Sequence, residues 1–572
     1  MQSFSQRDRL AALERMAGDG VDVLVIGGGI TGASVALDAA ARGYRVGLVE
    51  KADFAGGTSS KSTKLIHGGL RYLPQLDFGL VREALVERGL LFRNAPWLVR
   101  PLGFVLPLYA WNRRPLGTPI APPGGLGLDW VVQTGLLLYD LFAGRLNPQR
   151  HRRLTLAEAE RRAPALRRPG LRHAFLYYDG QTDDARLTLA VLRTAARHGV
   201  RAANYAEVTG FDIAGTRIRA AHVRDRLTQQ EYTIRARHVV NAGGIFAQHI
   251  EELTGLPSQL AIAPAKGVHL VFSSEKIPMT SDAVVLPETD DGRLLFLLPW
   301  ERRVVVGTTD TEGGDVDRPR TTAEDVTYLL DHCNRYLNVN LTPEDVISTY
   351  AGFRPLIQSR SADRVTSARL SRSHAVLDGP AGMVSVVGGK LTTARRMAED
   401  AMNHVARHDG RLPSSVTRSL PLDGAAGWPL VRRVIERHSL GLDGEVRAHL
   451  GAAYGADLRQ VLAVADEDKR FARRIVPGLP YLMAEVPYAC RHEMALTLDD
   501  VLTRRTRLVL EDRRQGATVV GEVADIMAAE LGWDAAETAR QVQAYLANIS
   551  EEYRPTRSCG ETPSPPSETP AR

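Results

Sequence analysis

The chain has 572 residues, too many for a single hydrophobic core, so we expect two or three domains. Hydrophobic residues make up 44% and charged residues 24% of the sequence, as in ordinary soluble globular proteins. The net charge of +6 is small for this length and gives no indication of a nucleic-acid partner. The three cysteines are far apart and odd in number, which argues against a disulfide framework, and we predict no metal site.

The first 20 residues are charged and have the spacing of a short amphipathic helix. A secretory signal would need an apolar stretch, which this segment lacks. We therefore expect the protein to stay inside the cell.

A glycine-rich turn follows the first strongly apolar segment. Residues 21–26 are typical of a buried parallel strand, and the alanine-rich residues 33–43 predict a helix. Between them, Gly27 allows a tight turn, Gly29 lets the backbone approach a pyrophosphate, and Gly32 permits close packing of helix on strand. The arrangement predicts a dinucleotide site with its phosphates at the helix N-terminus.

A second strand ends in a carboxylate. Glu50 lies 18 residues beyond Gly32, where an acidic side chain accepts hydrogen bonds from an adenosine ribose. NAD and FAD both bind in this way. Small hydroxyl residues that could line an extended diphosphate and flavin favour FAD, and they are Thr58, Ser59, Ser60, Ser62 and Thr63.

Five further motifs follow one another along the chain and resemble those of one known family. They are TKLIHGGLRYL at 63–73, KGVH at 266–269, GTTD at 307–310, GFRP at 352–355 and GGKLTT at 388–393. With the glycine turn they cover about residues 20–405, and residues 497–506 resemble the family's C-terminal domain. The sequence is similar to the FAD-dependent glycerol-3-phosphate dehydrogenases of the D-amino-acid-oxidase-like flavoprotein superfamily.

The resemblance implies an α/β FAD-binding domain, Rossmann-like and doubly wound, interleaved with an α+β substrate domain that has an antiparallel sheet. A C-terminal all-α domain completes the expected fold. Residues 261–344 have the pattern of strands, and residues 555–572 have the composition of a disordered tail. The expected boundaries are 1–20 for the N-terminal helix; 21–90, 160–260 and 345–408 for the FAD-binding domain; 91–159 and 261–344 for the substrate or cap domain; 409–554 for the helical domain; and 555–572 for the tail.

Two more backbone segments are expected to contact the cofactor. In the superfamily, a strand ends in a glycine turn that closes over the nucleotide, which places Gly243 there; Gly244-Ile-Phe246 stands where proline and tryptophan are common, so the contacts of Phe246 stay open. The second segment begins a helix whose N-terminal amides could stabilise charge on the reduced flavin ring, and it comprises Gly388, Gly389, Leu391 and Thr392.

A phosphorylated substrate needs cations in a partly desolvated pocket. In the resemblance, the phosphate end is held by Arg71, Tyr72, Arg372 and Lys390, although Arg372 is aligned only by spacing. His269 and Arg354 would lie near the C2 hydroxyl, with His269 as base and Arg354 stabilising the developing alkoxide. Taken singly, each arginine could equally be solvated.

The implied reaction is oxidation of sn-glycerol 3-phosphate to dihydroxyacetone phosphate by hydride transfer to flavin N5, with electrons passed to a membrane quinone. An oxidase that uses oxygen and an amino-acid-oxidising flavoenzyme of the same fold are alternatives. A non-catalytic, flavin-bound membrane scaffold is a remote third. A homodimer is possible.

The most apolar window, residues 126–144, contains Asp129, Gln133 and Asp140, so we expect no membrane span. Apolar side chains among arginines would suit an anionic lipid surface, and they are Trp130, Val131, Leu137, Leu138, Leu141 and Phe142. A core helix with solvated arginines is the alternative. Because members of the resembled family are peripheral membrane enzymes, we expect the protein on the inner face of the cell membrane.

Overall fold

A computed structural model describes residues 4–118, 127–358, 373–410, 414–437 and 441–554. Within these ranges the chain forms two sheets, helices packed on both, and a helical region at the C-terminal end. The first sheet contains β1 (Val21–Ile26), β2 (Val46–Val49), β7 (Arg201–Ala203), β8 (Ala206–Ala214), β9 (Arg217–Asp225), β10 (Glu231–Asn241), β17 (His374–Asp378) and β18 (Val384–Gly388).

The centre of the first sheet is parallel. Its strand order among the described residues is β17-β18-β10-β1-β2-β7, with β8 and β9 as an antiparallel extension of β10. Every residue of β1 except Asp22 is buried, as expected for a strand covered on both faces. The covering helices on this sheet include α1 (Gln6–Asp19), α2 (Ile30–Ala41), α6 (Asp184–Arg197), α7 (Ala247–Glu252) and α9 (Ala394–His408).

The second sheet is largely antiparallel, and its described strands follow the order β15-β11-β14-β13-β12-β4-β6-β3. Two further strands pair at its sides, β16 with β11 and β5 with β6. The strands are β3 (Leu65–Ile66), β4 (Arg100–Tyr109), β5 (Arg152–Leu154), β6 (Leu171–Gln181), β11 (Ile262–Ser273), β12 (Ala283–Leu286), β13 (Leu295–Trp300), β14 (Arg303–Gly307), β15 (Thr311–Glu312) and β16 (Ser348–Ile357).

This mixed fold, a doubly wound sheet interleaved with an antiparallel one, is the predicted class, but three strands depart from the predicted boundaries. β3, β6 and β16 fall within ranges assigned to the FAD-binding domain, yet all three lie in the second sheet. They do so because β3 pairs with β6, β6 pairs along its length with β4, and β16 pairs with β11 from Ile262↔Ile357 to Val271↔Ser348. Local sequence pattern does not reveal such distant partners.

The expectation that residues 261–344 are strands is also incomplete. Helix α8 (Ala323–Tyr336) lies within this range. Its N-cap Thr322 forms a reciprocal capping box with Asp325, and it buries one face against the second sheet. The other helices of this half are α3 (Phe78–Asn94), α4 (Leu128–Ala143) and α5 (Leu156–Arg162).

The helical region beyond residue 414 confirms the predicted all-α domain. It contains α10 (Trp428–Arg437), α11 (Gly444–Tyr454), α12 (Leu458–Glu467), α13 (Glu485–His492), α14 (Leu508–Glu511), α15 (Val520–Leu531) and α16 (Ala535–Glu552). A π-helical turn, Asp500–Arg505, precedes α14. The predicted tail at 555–572 lies outside the described residues.

The two arginines at the end of the π-helical turn are buried and paired with an acidic residue that follows β2. Arg505 and Arg504 bind Asp53, with Arg505 Nη2 donating to Oδ1 at 2.8 Å and Arg504 Nε to Oδ2 at 2.6 Å. Burial alone would raise the pKa of Asp53, but the two guanidinium groups outweigh it and lower the pKa overall. These arginines are therefore ion-paired rather than lipid-facing.

Within the described ranges, every helix is too short or too polar to cross a bilayer.

Candidate dinucleotide and substrate site

A cavity of about 650 Å³ is lined by residues from both sheets. It reaches from the turn after β1 to the strands β11 and β16 and to the turn before α9. Its volume lies within the range of about 300–1,000 Å³ that is usual for small-molecule sites. Most residues predicted from the sequence to form a site line this one cavity.

The predicted glycine turn has the geometry that a dinucleotide site requires. Gly27 has a φ of +114°, and Gly29 is the N-cap residue of α2. A Cβ on Gly32 would lie 1.9 Å from the carbonyl oxygen of Gly27. Gly27 and Gly29 line the cavity, whereas Gly32 lies behind them, where only a hydrogen fits between helix and turn.

Glu50 lies beside this turn at the edge of the cavity. Its Oε2 accepts from the backbone N–H of Gly28 at 2.6 Å, and its Oε1 accepts from that of Ala52 at 2.8 Å. Burial raises the pKa of Glu50 above its usual value, although both backbone donors favour the charged form. A carboxylate oxygen can accept more than one hydrogen bond, so a ribose hydroxyl can still be bound.

The five predicted hydroxyl residues take different positions. Thr58 and Ser59 line the cavity, and Ser59 Oγ accepts from the Ile30 N–H at the start of α2, at 2.9 Å. Ser62 and Thr63 also line it. Ser60 does not, because it is buried beneath the loop with its hydroxyl directed to the carbonyl oxygen of Gly57.

The remaining cofactor candidates also line the cavity, and they are Gly243, Gly388, Gly389, Leu391 and Thr392. The two glycines at the end of β18 have φ values of +74° and +76°, which favour glycine there. Phe246, whose contacts were open, lies under Lys51, with the ammonium 3.3 Å from the ring centroid.

Three of the four predicted phosphate ligands are brought together. The Lys390 ammonium lies 4.2 Å from the centroid of the Tyr72 ring, and the Arg71 guanidinium lies 5.0 Å from the same centroid. Tyr72 and Lys390 line the cavity, while Arg71 adjoins it through Tyr72. Arg372 lies outside the described residues.

His269 is buried on β11 at the cavity wall. Its ring stacks on Tyr350 with centroids 4.6 Å apart, and its Nε2 shares a hydrogen bond of 2.9 Å with the Thr63 hydroxyl. Burial, followed by the positive charges of Arg354 and Lys64, holds the pKa of His269 well below its usual value. The imidazole is therefore neutral at physiological pH.

Arg354, from β16, lines the same cavity and is oriented by the loop after β14. Its Nη1 donates to Asp310 at 3.0 Å, and its Nη2 donates to the Thr308 hydroxyl and the Thr309 carbonyl oxygen, each at 3.2 Å. A Cβ on Gly267 would come within 2.8 Å of Nη2. The position of the Arg354 guanidinium thus depends on the GTTD motif at 307–310, for which sequence analysis predicted no role.

Sequence analysis also predicted no role for the buried charged residues beneath residues 58–63, which we call the hydroxyl loop. Asp184, at the start of α6, accepts from the Ser62 N–H at 2.9 Å and from Lys64 Nζ at 2.9 Å, and it pairs with Arg507. Ser62 and Lys64 flank Thr63, the partner of His269. A helix-starting aspartate in QTDD was a visible signal, but its partners lie far away in sequence.

FAD fits this set of residues. The turn at Gly27 has room only for hydrogens, which brings backbone amides to the cavity wall, and α2 begins at the same place. The cavity continues without interruption to the second glycine turn at Gly388 and to His269, far enough for an extended cofactor. Fold and site together define a dinucleotide-binding oxidoreductase.

Comparison with known proteins narrows this class. Residues 22–395 match the model of the family described as FAD dependent oxidoreductase, and residues 415–538 match the C-terminal domain of alpha-glycerophosphate oxidase. A glycerol-3-phosphate dehydrogenase of Mycobacterium leprae is 40% identical over 558 residues, covering 96% of this chain and 92% of the relative. The chain belongs to the FAD dependent oxidoreductases, in their glycerol-3-phosphate dehydrogenase group.

Solved structures agree. The glycerol-3-phosphate dehydrogenase from Bacillus halodurans, complexed with FAD, has a TM-score of 0.78 at 31% identity, covering 96% of this chain and 98% of its own. The L-alpha-glycerophosphate oxidase of Mycoplasma pneumoniae has a TM-score of 0.53 at 17% identity over 69% of this chain and 96% of its own, a likeness of fold alone. Family membership makes FAD the cofactor.

We predict that Gly32→Ala removes most of the bound FAD. The new methyl group would overlap the Gly27 carbonyl oxygen, so the turn must move. FAD content after purification and FAD affinity by fluorescence titration measure the effect, and we expect at least about 10²-fold weaker binding. Gly18→Ala, where a Cβ meets nothing within 4 Å, is the matched control. Equal FAD binding by both variants would contradict the role of the turn.

Proposed function

We propose that the protein oxidises sn-glycerol 3-phosphate to dihydroxyacetone phosphate and passes the electrons to a membrane quinone. The observation that carries this proposal is one cavity with two chemically distinct groups on its wall. Lys390 and Tyr72, backed by Arg71, offer cationic and hydroxyl groups for a phosphate. His269 and Arg354 offer a neutral base and a cation for an alcohol. The names of the relatives support the same substrate.

When bound, FAD would supply the oxidant for hydride transfer from C2 of the substrate to flavin N5. The turn at Gly27 and Gly29 with the N-terminus of α2 would hold its diphosphate, and Glu50 its ribose. The loop from Thr58 to Thr63 would line the part of FAD that links its nucleotide to the flavin ring. The segment from Gly388 to Thr392 would face the ring.

His269 would take the C2 hydroxyl proton. We assign Nε2 as the acceptor, because this nitrogen already shares a 2.9 Å hydrogen bond with the Thr63 hydroxyl, whose place a substrate hydroxyl can take. The low pKa keeps the ring from taking up a second proton before the substrate arrives, and in the tautomer protonated at Nδ1 the Nε2 lone pair is available. Arg354, held by Asp310 and Thr309, would stabilise negative charge on the same oxygen.

The direct test is anaerobic. Adding sn-glycerol 3-phosphate to the purified holoenzyme should bleach the flavin band near about 450 nm, while glycerol and D-amino acids should leave it unchanged at the same concentration. An absence of bleaching in folded, FAD-bound protein would contradict the substrate but not the fold. Bleaching by a D-amino acid would favour the amino-acid-oxidising alternative.

His269→Ala should slow flavin reduction at saturating substrate by roughly 10²-fold or more. For the wild type, the lowered pKa means that the ring stays neutral as the pH falls, so this limiting rate should not drop through the usual histidine midpoint near about 6.5 and should fall only at more acid pH. Stopped-flow absorbance measures both.

The control for this variant is His332→Ala, which changes another buried histidine that does not line the cavity. Normal flavin reduction in His269→Ala would remove His269 from the role of base. An acid limb centred near about 6.5 in the wild type would show that its pKa is not lowered.

Lys390→Met should raise the substrate concentration needed for half-maximal reduction by roughly 10- to 100-fold, because a charged hydrogen-bond partner of the phosphate is lost. The limiting rate should change much less, since the ammonium binds a group remote from the reacting carbon. Steady-state and stopped-flow kinetics separate the two effects. Lys276→Met, in the turn after β11 and paired with Asp345, is the control because Lys276 does not line the cavity. Equal losses with glycerol and glycerol 3-phosphate would contradict the phosphate role.

An exposed apolar surface on α4 supports membrane binding and a quinone acceptor. Trp130 and Leu141 are 71% and 70% exposed, and Val131 and Leu137 are also exposed, whereas Leu138 and Phe142 are half-buried. Exposed Leu76 and Phe78 extend this surface, since the ring centroids of Phe78 and Phe142 are 5.8 Å apart. Exposed Arg145 and Arg150 follow the helix, as an anionic leaflet would favour.

The same helix contacts the site from its inner face. The Tyr139 hydroxyl accepts from the Gly68 N–H at 2.8 Å and donates to Asp179. Gly68 adjoins Gly69, where a Cβ would lie 3.4 Å from the Lys390 ammonium. A lipid-soluble acceptor at α4 would therefore be near the cavity. Rapid reoxidation of reduced enzyme by a quinone analogue, but not by air, would support quinone, and the reverse would favour the oxidase.

Replacing Trp130, Leu137 and Leu141 together by Gln should weaken binding to phosphatidylglycerol vesicles by at least about 10²-fold, because each side chain loses about 1.5–3 kcal/mol of burial in lipid. Co-sedimentation of holoenzyme with vesicles measures this. The control replaces Leu227, Leu256 and Leu546, exposed leucines elsewhere, by Gln. Wild-type sedimentation of the α4 variant would contradict this surface as the membrane contact.

A further inference from the structure

Three potential metal ligands converge on the surface of the first sheet, away from the cavity. Asp378 is the last residue of β17, and His404 and His408 lie in the final turns of α9. The Oδ1 atom of Asp378 lies 2.8 Å from His404 Nε2 and 3.6 Å from His408 Nε2, and the two Nε2 atoms are 3.3 Å apart.

These separations match those of ligands around a tetrahedral metal ion. Zinc binds histidine nitrogen and carboxylate oxygen at about 2.0–2.2 Å, which places ligand atoms about 3.3 Å from one another at tetrahedral angles. The two histidines are four residues apart on one helix, so their side chains share a face. Among the described residues, no other His, Cys, Asp or Glu side chains form such a group of three.

The contact between the two imidazoles is itself informative. Two Nε2 atoms at 3.3 Å can share a hydrogen bond only when one of them carries a proton and the other does not, and both are directed at the same carboxylate oxygen. A cation between the three atoms would bind one lone pair of each at once. By contrast, His222 and Asp212, joined at 2.9 Å, form a surface pair without a second histidine.

We propose that Asp378, His404 and His408 bind one divalent transition-metal ion of the zinc class. Nitrogen and oxygen ligands in a set of three are typical of such ions, with water completing the coordination. The side chains of His408 and Asp378 are 45% and 67% exposed, so water reaches the fourth position. None of the three residues lines the cavity, and the ion has no part in the oxidation of the substrate.

The ion would join two elements that flank the second glycine turn. β17 pairs antiparallel with β18, from His374↔Gly388 to Asp378↔Val384, and β18 leads through Gly388 and Gly389 to α9. The proposed site connects the far end of this hairpin to the far end of α9. The bound ion would act as a cross-link between β17 and α9, and it would close the segment from Asp378 to His408 around the glycine turn at Gly388 and Gly389.

Equilibrium dialysis of tag-free holoenzyme against Zn²⁺, with metal analysis of the protein, tests the proposal. All proteins carry Cys559→Ser, because a thiol in the C-terminal tail could bind zinc by itself; Cys333 and Cys490 are buried. We expect one Zn²⁺ per chain, at least about 10-fold weaker binding for His404→Ala, His408→Ala or Asp378→Asn, and unchanged binding for His222→Ala.

FAD content and glycerol 3-phosphate oxidation should be the same in all variants, since the site is distant from the cavity. Zinc binding that is absent in the wild type, or equal in wild type and the His404→Ala, His408→Ala double variant, would overturn the proposal. Hydrogen exchange measures the cross-link: zinc should slow exchange of the amides of β17 and β18 in the wild type but not in the double variant. Unchanged exchange in zinc-loaded wild type would overturn the cross-linking role.

Discussion

The buried ion pairs between the helical domain and the hydroxyl loop are the interaction on which the rest of the site depends. Asp184 holds Ser62 and Lys64 on one side and Arg507 on the other, and the side chains of Lys64, Asp184 and Arg507 have little or no exposure. Lys64, whose pKa is lowered by burial and by Arg507, has no access to water that could replace these partners. Breaking a buried pair by removing one partner costs about 3–5 kcal/mol, because the remaining charge stays uncompensated. The position of the loop that presents Thr63 to His269 therefore depends on this network. The helical domain supports the site through Arg507, although none of its described residues lines the cavity.

Placement of the base and of the phosphate-binding cations follows from different parts of the fold. His269 and Arg354 lie on β11 and β16, whose pairing places them four residue positions apart along one ladder, with His269 opposite Tyr350 and Arg354 opposite Ala265. Lys390 and Tyr72 lie on turns outside the sheets. The rigid pair suits bond-making chemistry, which needs fixed geometry, and the turns suit recognition of a phosphate, whose charge is bound over a wider range of positions.

What the sequence could predict depended on how local the signal was. Gly27, Gly29, Gly32 and Glu50 belong to one strand-turn-helix-strand unit, so their spacing alone predicts that they meet at one turn, as they do in the structure. The motifs that carry His269 and Lys390 were recognised only through a family resemblance. Sheet membership of β6 and β16 depends on partners far along the chain, and no local pattern encodes it.

Helix α8 was missed although Thr322 and Asp325 form a capping box that is readable in sequence. The ion pairs of Asp53 and Asp184 with the arginines after residue 503 join residues more than 300 positions apart. A single sequence therefore does not reveal the partners of those arginines.

The separation between Asp53 and Arg505 also has a meaning for synthesis of the protein. The two partners are 452 residues apart. At about 5–20 residues per second, the ribosome adds Arg505 roughly 20–90 s after Asp53. For that time Asp53 lacks its guanidinium partner, and the loop after β2 cannot reach its final ion-paired geometry. This part of the nucleotide-binding half is therefore completed only when nearly the whole chain has been made.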